Sequence, residues 1–145
     1  MPSYSVVPPA GGNRYDWQSD HILVKADMAA TGGTVTVVED TLDPGFLLPR
    51  HHHRAMTEVF CVLDGEVTFR FDDATEVATR GTTVTIPPRI WHEVTSERGG
   101  TLITMFAPGG FEGYLEELTR LTAEERRDEV LIRELGERYD TWSAE

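Results

Sequence analysis

The sequence predicts an all-β barrel with a helical extension at its C-terminal end, and three observations lead to that prediction. Short apolar runs rich in Val, Ile, Thr and Phe begin near residue 20 and continue to about residue 107. Turn-forming residues such as Gly-Gly, Asp-Pro-Gly and Pro-Pro separate these runs. After Gly110 the apolar residues change to helical spacing. Many short strands at regular spacing are typical of a β-sandwich or barrel.

The length of the chain suits one domain, which we divide into three parts. The chain has 145 residues, too few for two ordinary domains. Residues 1–18 are rich in Pro, Gly and Ser and are predicted to form an irregular lead-in. Residues 19–108 are predicted to form the barrel, and residues 109–145 the helical extension. The predicted strands are 21–28, 34–42, 58–63, 66–71, 83–87 and 101–107.

The C-terminal extension is predicted to contain two helices. Apolar residues between Phe111 and Leu121 recur at helical spacing and form one stripe. Thr122 and Glu125 fit a capping box, so a second helix is expected from there to about Tyr139. Because the apolar stripe needs cover, we expect the extension to pack on its own barrel or on a dimer partner, where it could also close a pocket.

Composition and charge argue against several classes of partner. The net charge is −12, from 13 basic and 25 acidic residues, and such a surface repels nucleic acid and anionic membranes. Cys61 is the single cysteine, so no intrachain disulfide forms, and we interpret it as a small apolar filler on the outer sheet face. The chain start has neither the basic residues nor the apolar stretch of a signal peptide. We therefore predict a cytoplasmic protein without nucleic-acid or membrane partners.

One predicted hairpin indicates which side chains point inward. Asp64-Gly65 lies between two strand-like runs and predicts a two-residue turn. Side chains alternate between faces, so one face would carry Glu58 together with Phe60, Val62, Val67, Phe69 and Phe71. Glu58 is the single carboxylate on this apolar face, and burial of an unpaired charge is costly. A cation or strong hydrogen-bond donors should therefore lie beside Glu58.

Three consecutive histidines provide candidate partners for that carboxylate. Alternation along an extended segment sends His51 and His53 to one face and His52 to the other. Glu58 begins the next strand, and His92 follows a Pro-Pro corner from which it could enter the same interior. We predict a metal site made of these residues except His52. The alternative is that the consecutive histidines form a polar loop and that His92 is an ordinary buried histidine.

The spacing of these residues resembles the two motifs of the cupin superfamily. The first motif reads Gly45, five residues, the three histidines, four residues, Glu58, six residues and Gly65. The second reads Gly81, five residues, Pro87-Pro88-Arg89, two residues, His92, three residues and Ser96. The second motif departs from the family pattern at Arg89, which replaces Gly, and at Ser96, which replaces Asn. Because a Cβ penalises positive φ, Arg89 makes a left-handed turn less favourable there.

This resemblance covers roughly residues 20–107 and implies a fold and a cofactor. It implies a single cupin barrel, also called a double-stranded β-helix or jelly roll, with one divalent transition metal per chain held by His51, His53, Glu58 and His92. Three imidazoles and one carboxylate suit Fe, Mn, Ni, Co, Cu or Zn rather than Ca or Mg. Single-domain cupins are commonly dimers, so we also expect a homodimer.

A looser resemblance concerns the reaction. The segment from Pro108 into the helical extension is similar to actinobacterial single-domain cupins of the quercetin dioxygenase-like kind. That similarity implies dioxygenase-type chemistry on a small enolic, phenolic or polyketide-like substrate, with dioxygen as co-substrate and Glu58 as the base. An apolar pocket is expected around the metal, with Phe60 and Phe71 as substrate contacts and Phe69 in the core.

Three other functions remain open on the same scaffold. The first is a non-redox polyketide cyclase or isomerase, in which the metal polarises a carbonyl group. The second is a small-molecule-binding cupin without turnover. The third is a structural or storage cupin, which the intact ligand set disfavours. One scaffold hosts many chemistries, so the fold alone does not choose among them. Dependence on dioxygen is the observation that separates the dioxygenase from the cyclase or isomerase.

Overall fold

The computed structural model describes residues 3–144, and the described chain is predominantly antiparallel β-structure followed by helices. The strands β1 to β10 are Asn13–Trp17, Asp20–Ala26, Thr36–Leu42, Phe46–His52, Thr57–Phe71, Thr75–Thr79, Thr83–Ile86, His92–Ser96, Gly100–Ala107 and Trp142–Ser143. The helices α1 to α3 are Met28–Thr31, Phe111–Arg120 and Glu129–Arg138, with a 3-10 turn at Glu125–Arg127. Within residues 3–144, no helix has the length and apolarity needed to span a membrane.

The strands form two antiparallel sheets that share β5. The first half of β5 lies between β7 and β9, and that sheet continues through β3 and β2 to β1. The second half of β5 lies between β6 and β8, and the other sheet continues through β4 to β10. This arrangement is a curled antiparallel half-barrel, so the all-β fold and the C-terminal helices are confirmed.

The core consists of two apolar clusters inside the curl. The first joins both halves of β5 to the neighbouring strands and includes Phe60, Val62, Val67, Phe69, Ile86, Val94 and Leu102. The second lies against the C-terminal helices and contains Ile22, Val24, Val38, Met56, Phe106 and Leu115. Leu115 is contributed by α2, so the apolar stripe of that helix covers one end of its own barrel.

The predicted hairpin at Asp64-Gly65 is wrong, because β5 runs without a turn from Thr57 to Phe71. Gly65 has a φ of 80° and pairs with Gly100, so a glycine with positive φ serves here within a strand instead of in a turn. The pairing with β9 shifts register between Val62 and Asp64. This irregularity shifts the alternation of side chains along β5, so that Val62 and Val67 both point inward. The predicted hairpin placed the same two side chains inward, although for a different reason.

The lead-in and four strands also differ from the prediction. Asn13–Trp17 lies within the predicted irregular segment but pairs with β2 as an antiparallel strand. The sequence analysis also missed β4, β6, β8 and β10. These strands are short or carry polar residues, and pairing with their neighbours fixes them as strands.

The second predicted helix begins later than expected. The capping box does form, since the Glu125 amide donates to Thr122 Oγ1 at 3.1 Å and the Thr122 amide donates to Glu125 Oε1 at 2.9 Å. It begins only a 3-10 turn, because the backbone of Asp128 is extended. The Asp128 side chain then accepts hydrogen bonds from the amides of Val130 and Leu131 and caps α3.

Candidate metal centre

The four predicted ligand residues come together between the two sheets. His51 lies on β4 directly opposite His92, the first residue of β8, and both belong to one sheet. Glu58 projects from the other sheet near the start of β5, and His53 lies in the loop that joins them. One ligand atom from each residue lies within 4.8 Å of the others, and all four residues are buried.

The backbone fixes the orientation of all three imidazole rings. The Nδ1 atoms of the three histidines each lie 2.8 Å from a backbone carbonyl oxygen, at Pro49, Asp140 and Ile90. A carbonyl oxygen only accepts hydrogen bonds, so each Nδ1 carries the proton and donates. The Nε2 lone pairs are therefore left free for a ligand, which is the usual arrangement of metal-binding histidines.

The geometry around Glu58 fits a bound cation. Glu58 Oε1 lies 3.3 Å from Nε2 of His53 and 3.3 Å from Nε2 of His92. The Nε2 atom of His92 is buried and has no well-formed hydrogen bond within residues 3–144. Lone pairs that face a carboxylate repel it unless a proton or a metal ion lies between them. Three imidazoles and a carboxylate match the preferences of a divalent transition metal, so the residues fit the predicted cofactor.

The ionisation of the cluster also suits metal binding. Burial would raise the pKa of Glu58, but its contacts with His53 and His92 outweigh burial and hold that pKa at about 2. Burial, together with the neighbouring histidines, lowers the pKa of His51 to about 4. Burial alone would lower the pKa of His53, but the hydrogen bond to Glu58 and the charge of that carboxylate outweigh burial, so the pKa of His53 is raised. At neutral pH the cluster thus offers a carboxylate and a neutral His51, the forms that bind metals.

A cavity of about 500 Å³ opens beside the cluster. His51, His53 and Glu58 line it, and its walls are mainly apolar, including Ile22, Val38, Phe60, Leu102, Phe106 and Leu115. Residues of α2 line it as well, so the C-terminal helices close one side of the cavity. A space of this size and polarity suits a small organic molecule.

The predicted substrate contacts occupy different places. Phe60 lines the cavity. Phe71 is half-buried, packs against the first core cluster and is absent from the described cavity wall. Phe69 is fully buried in the core, as expected. Phe71 lies opposite His92 in the β5–β8 pairing, so its backbone is near the metal centre although its side chain does not line the cavity.

Sequence reasoning missed a carboxyl pair in the same cavity. Asp40 is 6% exposed, and its Oδ2 accepts a hydrogen bond from Thr104 Oγ1 at 2.7 Å. Asp20 lies beside it, and its Oδ1 is buried without a hydrogen-bond partner in the described chain. Burial, together with the neighbouring carboxylates, raises the pKa of both groups, so the pair retains a proton at neutral pH. Along β3, Asp40 alternates with Val38 and Leu42, whose side chains face inward. This alternation was the signal from which the burial of Asp40 could have been predicted.

Asp140 is a second residue that the sequence analysis missed. Its carbonyl oxygen accepts the hydrogen bond from His53 Nδ1, and its carboxylate accepts from the amides of Arg54, Ala55 and Met56 at 2.7–2.9 Å. The C-terminal segment thereby fixes the loop between two residues of the candidate metal site, His53 and Glu58. Eighty-seven residues separate Asp140 from His53, and no local pattern indicates such a contact.

The remaining sequence expectations have mixed outcomes. His52 points away from the cluster, as predicted, and its ring packs on Trp91 with centroids 4.0 Å apart.

Arg89 has a φ of 71°, so the expectation that a left-handed turn would be avoided at this arginine is wrong. Its amide donates to the His53 carbonyl at 2.6 Å, which supports the turn. Ser96 is buried and donates to the Glu66 carbonyl, while Cys61 is half-buried on the outer face.

Comparison with known proteins agrees with this fold. Residues 38–108 match the family model described as a cupin domain. KdgF from a Halomonas species superposes with a TM-score of 0.68 and 15% identity, over 77% of this chain and 99% of that one. An RmlC-like cupin from Shewanella frigidimarina superposes with a TM-score of 0.66 and 22% identity, over 78% and 99%. No curated protein sequence matches the chain.

A third structure carries a stated activity. Pac13 of Streptomyces, described as a nucleoside dehydratase, superposes with a TM-score of 0.63 and 14% identity, over 77% of this chain and 88% of that one. At these identities the likeness concerns the fold alone. The curled sheets and the motif residues between them define a cupin. The chain belongs to the cupin superfamily, with its cupin domain at residues 38–108.

Proposed function

We propose that this protein is a metal-dependent enzyme that acts on a small organic substrate held in the cavity. One observation carries the proposal: three oriented histidines and an ionised glutamate converge within 4.8 Å at the wall of an apolar cavity of about 500 Å³. A site built only for stability would not need free Nε2 lone pairs beside an accessible cavity. The metal belongs to the group Fe, Mn, Ni, Co, Cu and Zn.

For the reaction class we propose dioxygenase-type chemistry on an enolic or phenolic substrate, with dioxygen as co-substrate. When bound, the metal would supply a Lewis acid and a redox centre. The chain's own residues have three roles. Backbone carbonyls hold the imidazoles, apolar walls such as Phe60 and Phe106 exclude water, and Glu58 accepts the proton of the substrate hydroxyl.

The second candidate is a non-redox cyclase or isomerase, and the Asp20–Asp40 pair favours it. This pair keeps a proton inside the cavity, so it could donate that proton to a substrate group other than the one whose proton Glu58 accepts. An acid and a base in one cavity suit proton-transfer reactions such as cyclisation, isomerisation or dehydration. A binding protein without turnover is the remaining alternative.

The first test of the proposal is metal analysis combined with turnover. The purified chain, loaded with each metal in turn, is incubated with enolic, phenolic and polyketide-like compounds in air and without oxygen. Consumption that requires dioxygen supports the dioxygenase, whereas equal consumption without it supports the cyclase or isomerase. Tight reversible binding without consumption would indicate a binding protein, and failure to bind any metal would remove the metal-dependent enzyme altogether.

A matched pair of variants tests the role of Glu58. Glu58→Gln should abolish turnover with only partial loss of metal, because the amide keeps a coordinating oxygen but is not a base. Glu66→Gln changes an exposed glutamate on the same strand and should leave both properties unchanged. Full activity in Glu58→Gln would remove this residue from the mechanism.

We also propose that the protein is a homodimer, as single-domain cupins commonly are. Leu47 and Leu63 are 53% and 46% exposed, and such apolar side chains on sheet strands favour an interface. Light scattering coupled to size-exclusion chromatography should give about twice the chain mass of 16.2 kDa. A mass of one chain at micromolar concentration would contradict the proposal.

A further inference from the structure

A second cleft lies on the opposite side of the segment that carries two metal ligands. His51 and His53 face the metal centre, whereas Arg50, His52 and Arg54 line a cleft of about 420 Å³ on the outer face. Alternation along the segment from Arg50 to Arg54 thus directs its side chains in turn to the outer face and to the metal centre. The other walls come from Trp91, from α3 through Arg133 and from β10 through Trp142; we call this space the outer cleft.

The charge of the outer cleft contrasts with that of the whole chain. The protein has 25 acidic and 13 basic residues, yet among residues 3–144 three arginines line this one cleft with a single carboxylate, Glu137. Arg50 is paired with Asp72 at 2.9 Å. Within residues 3–144, Arg54 and Arg133 have no carboxylate within ion-pair distance and donate no side-chain hydrogen bond. Two guanidinium groups are therefore available at one side of an acidic protein.

Two tryptophans restrain two of the three arginines of the outer cleft, Arg50 and Arg54. The Arg50 guanidinium lies 4.2 Å from the centre of the Trp91 ring, and the Arg54 guanidinium lies 3.5 Å from the centre of the Trp142 ring. Stacking on an indole restrains a long side chain while leaving its in-plane N–H groups free to donate. Restraint before binding reduces the entropy lost when a ligand is bound.

His52 adds a buried group whose hydrogen bonding is incomplete. It is only 8% exposed, it lines the outer cleft, and its Nδ1 has no hydrogen-bond partner in the described chain. A buried polar nitrogen without a partner is costly, so such groups are commonly satisfied by a ligand or an ordered water. His52 plays no part in the metal cluster, which leaves its burial unexplained by the site already described.

We propose that the outer cleft is a second binding site, which takes the phosphate or carboxylate group of a small anionic molecule. Arg54 and Arg133 donate charge-assisted hydrogen bonds to its oxygens, Arg50 adds positive charge, and the indoles flank the attached molecule. The site is independent of the function proposed above, because none of these side chains reaches the metal cluster.

The test uses tryptophan fluorescence of the metal-loaded protein. Trp91 and Trp142 are two of the three tryptophans, so a ligand in the outer cleft should alter the emission. Inorganic phosphate and acetate are titrated separately at constant ionic strength. We expect a saturable response to at least one anion. A response to both indicates recognition of any oxyanion group, whereas a response to one identifies the group that the cleft takes.

Three exposed arginines provide the variants and their control. Arg54→Gln and Arg133→Gln should each weaken binding about tenfold or more, because each removes a charge-assisted hydrogen bond. Arg126→Gln should leave affinity unchanged, since Arg126 lies 5.2 Å from the Trp17 ring, outside the outer cleft. The proposal is overturned if neither anion gives a saturable response. It is also overturned if both cleft variants bind like wild type, as they would if phosphate bound at the metal centre.

Discussion

Asp140 and His53 are joined by a hydrogen bond of 2.8 Å from the imidazole Nδ1 to the backbone carbonyl oxygen. The bond links the C-terminal segment to a residue of the candidate metal site in the barrel. The same residue's carboxylate accepts three amide hydrogen bonds from the loop that follows His53. Folding of the C-terminal segment and formation of the metal centre are therefore coupled.

This coupling predicts that Asp140→Ala lowers metal affinity. Three loop amides would lose their acceptor, the loop would move and the His53 ring would lose its orientation. The expected loss is about 10- to 100-fold, typical of groups that orient metal ligands. Competition with a coloured chelator measures it. Asp128→Ala is the control, because it removes a helix cap in the same extension and should lower stability without changing metal affinity. Equal affinity losses in both variants would mean that general destabilisation is responsible.

Metal content should separate the three consecutive histidines. His51→Ala and His53→Ala are expected to reduce the content from about one ion per chain to near zero, because each removes one of four ligands. His52→Ala should keep the wild-type content, since its ring packs on Trp91 outside the cluster. Elemental analysis after dialysis gives the values. Metal loss in His52→Ala equal to that in His51→Ala would contradict the assigned faces.

The glycine within β5 should be intolerant of any side chain. Gly65 has a φ of 80°, and an added Cβ would lie 2.4 Å from the Gly99 carbonyl oxygen. Gly81→Ala is the matched control, because Gly81 has a φ of 89° but open space around the Cβ position. Gly81→Ala should cost about 1–2 kcal/mol from backbone strain alone. Gly65→Ala should cost about 1–3 kcal/mol more, from the added overlap. Chemical denaturation measures both, and equal losses would mean that the overlap relaxes.

The Asp20–Asp40 pair predicts a pH dependence of stability. Burial and the neighbouring Asp40 and Asp43 raise the pKa of Asp20 in the folded chain. Burial is also the main cause that raises the pKa of Asp40, and the charges of Glu58 and Glu39 add to it. Above a pH of about 4, the usual carboxyl range, this pair therefore binds more protons in the folded state than in the unfolded state. The contribution of the pair to the free energy of unfolding should fall as the pH rises from that value.

The variant Asp20→Asn should flatten that dependence. It removes a group that must take up a proton when the chain folds at neutral pH, so stability at neutral pH should rise by about 1–3 kcal/mol. Urea denaturation between acidic and neutral pH, with a chelator present to remove metal effects, provides the measurement. Parallel curves for the variant and the wild type would show that Asp20 ionises in the folded state as it does in the unfolded chain.

The residues of the candidate metal site could be predicted to lie together because their orientation depends on local rules. Alternation along an extended segment is a property of the backbone, so it separates His51 and His53 from His52 whatever the rest of the chain does. The single carboxylate among inward apolar residues likewise marked Glu58. The helix α2 followed from the spacing of its apolar residues, since one stripe must be covered.

The tertiary structure decided the features that depend on distant partners. Whether Asp64-Gly65 forms a turn or continues the strand depends on Gly100 of β9, where an added Cβ would lie 2.8 Å from the Asp64 carbonyl oxygen. The bond from His53 to Asp140 joins residues that are remote in the chain, as does the pairing of Asp20 with Asp40. The sequence by itself determined that His51 and His53 face away from His52 and which chemistry these residues and Glu58 offer, because these are local properties. Only the packed sheets and helices decided which inward groups meet, because that depends on long-range pairing.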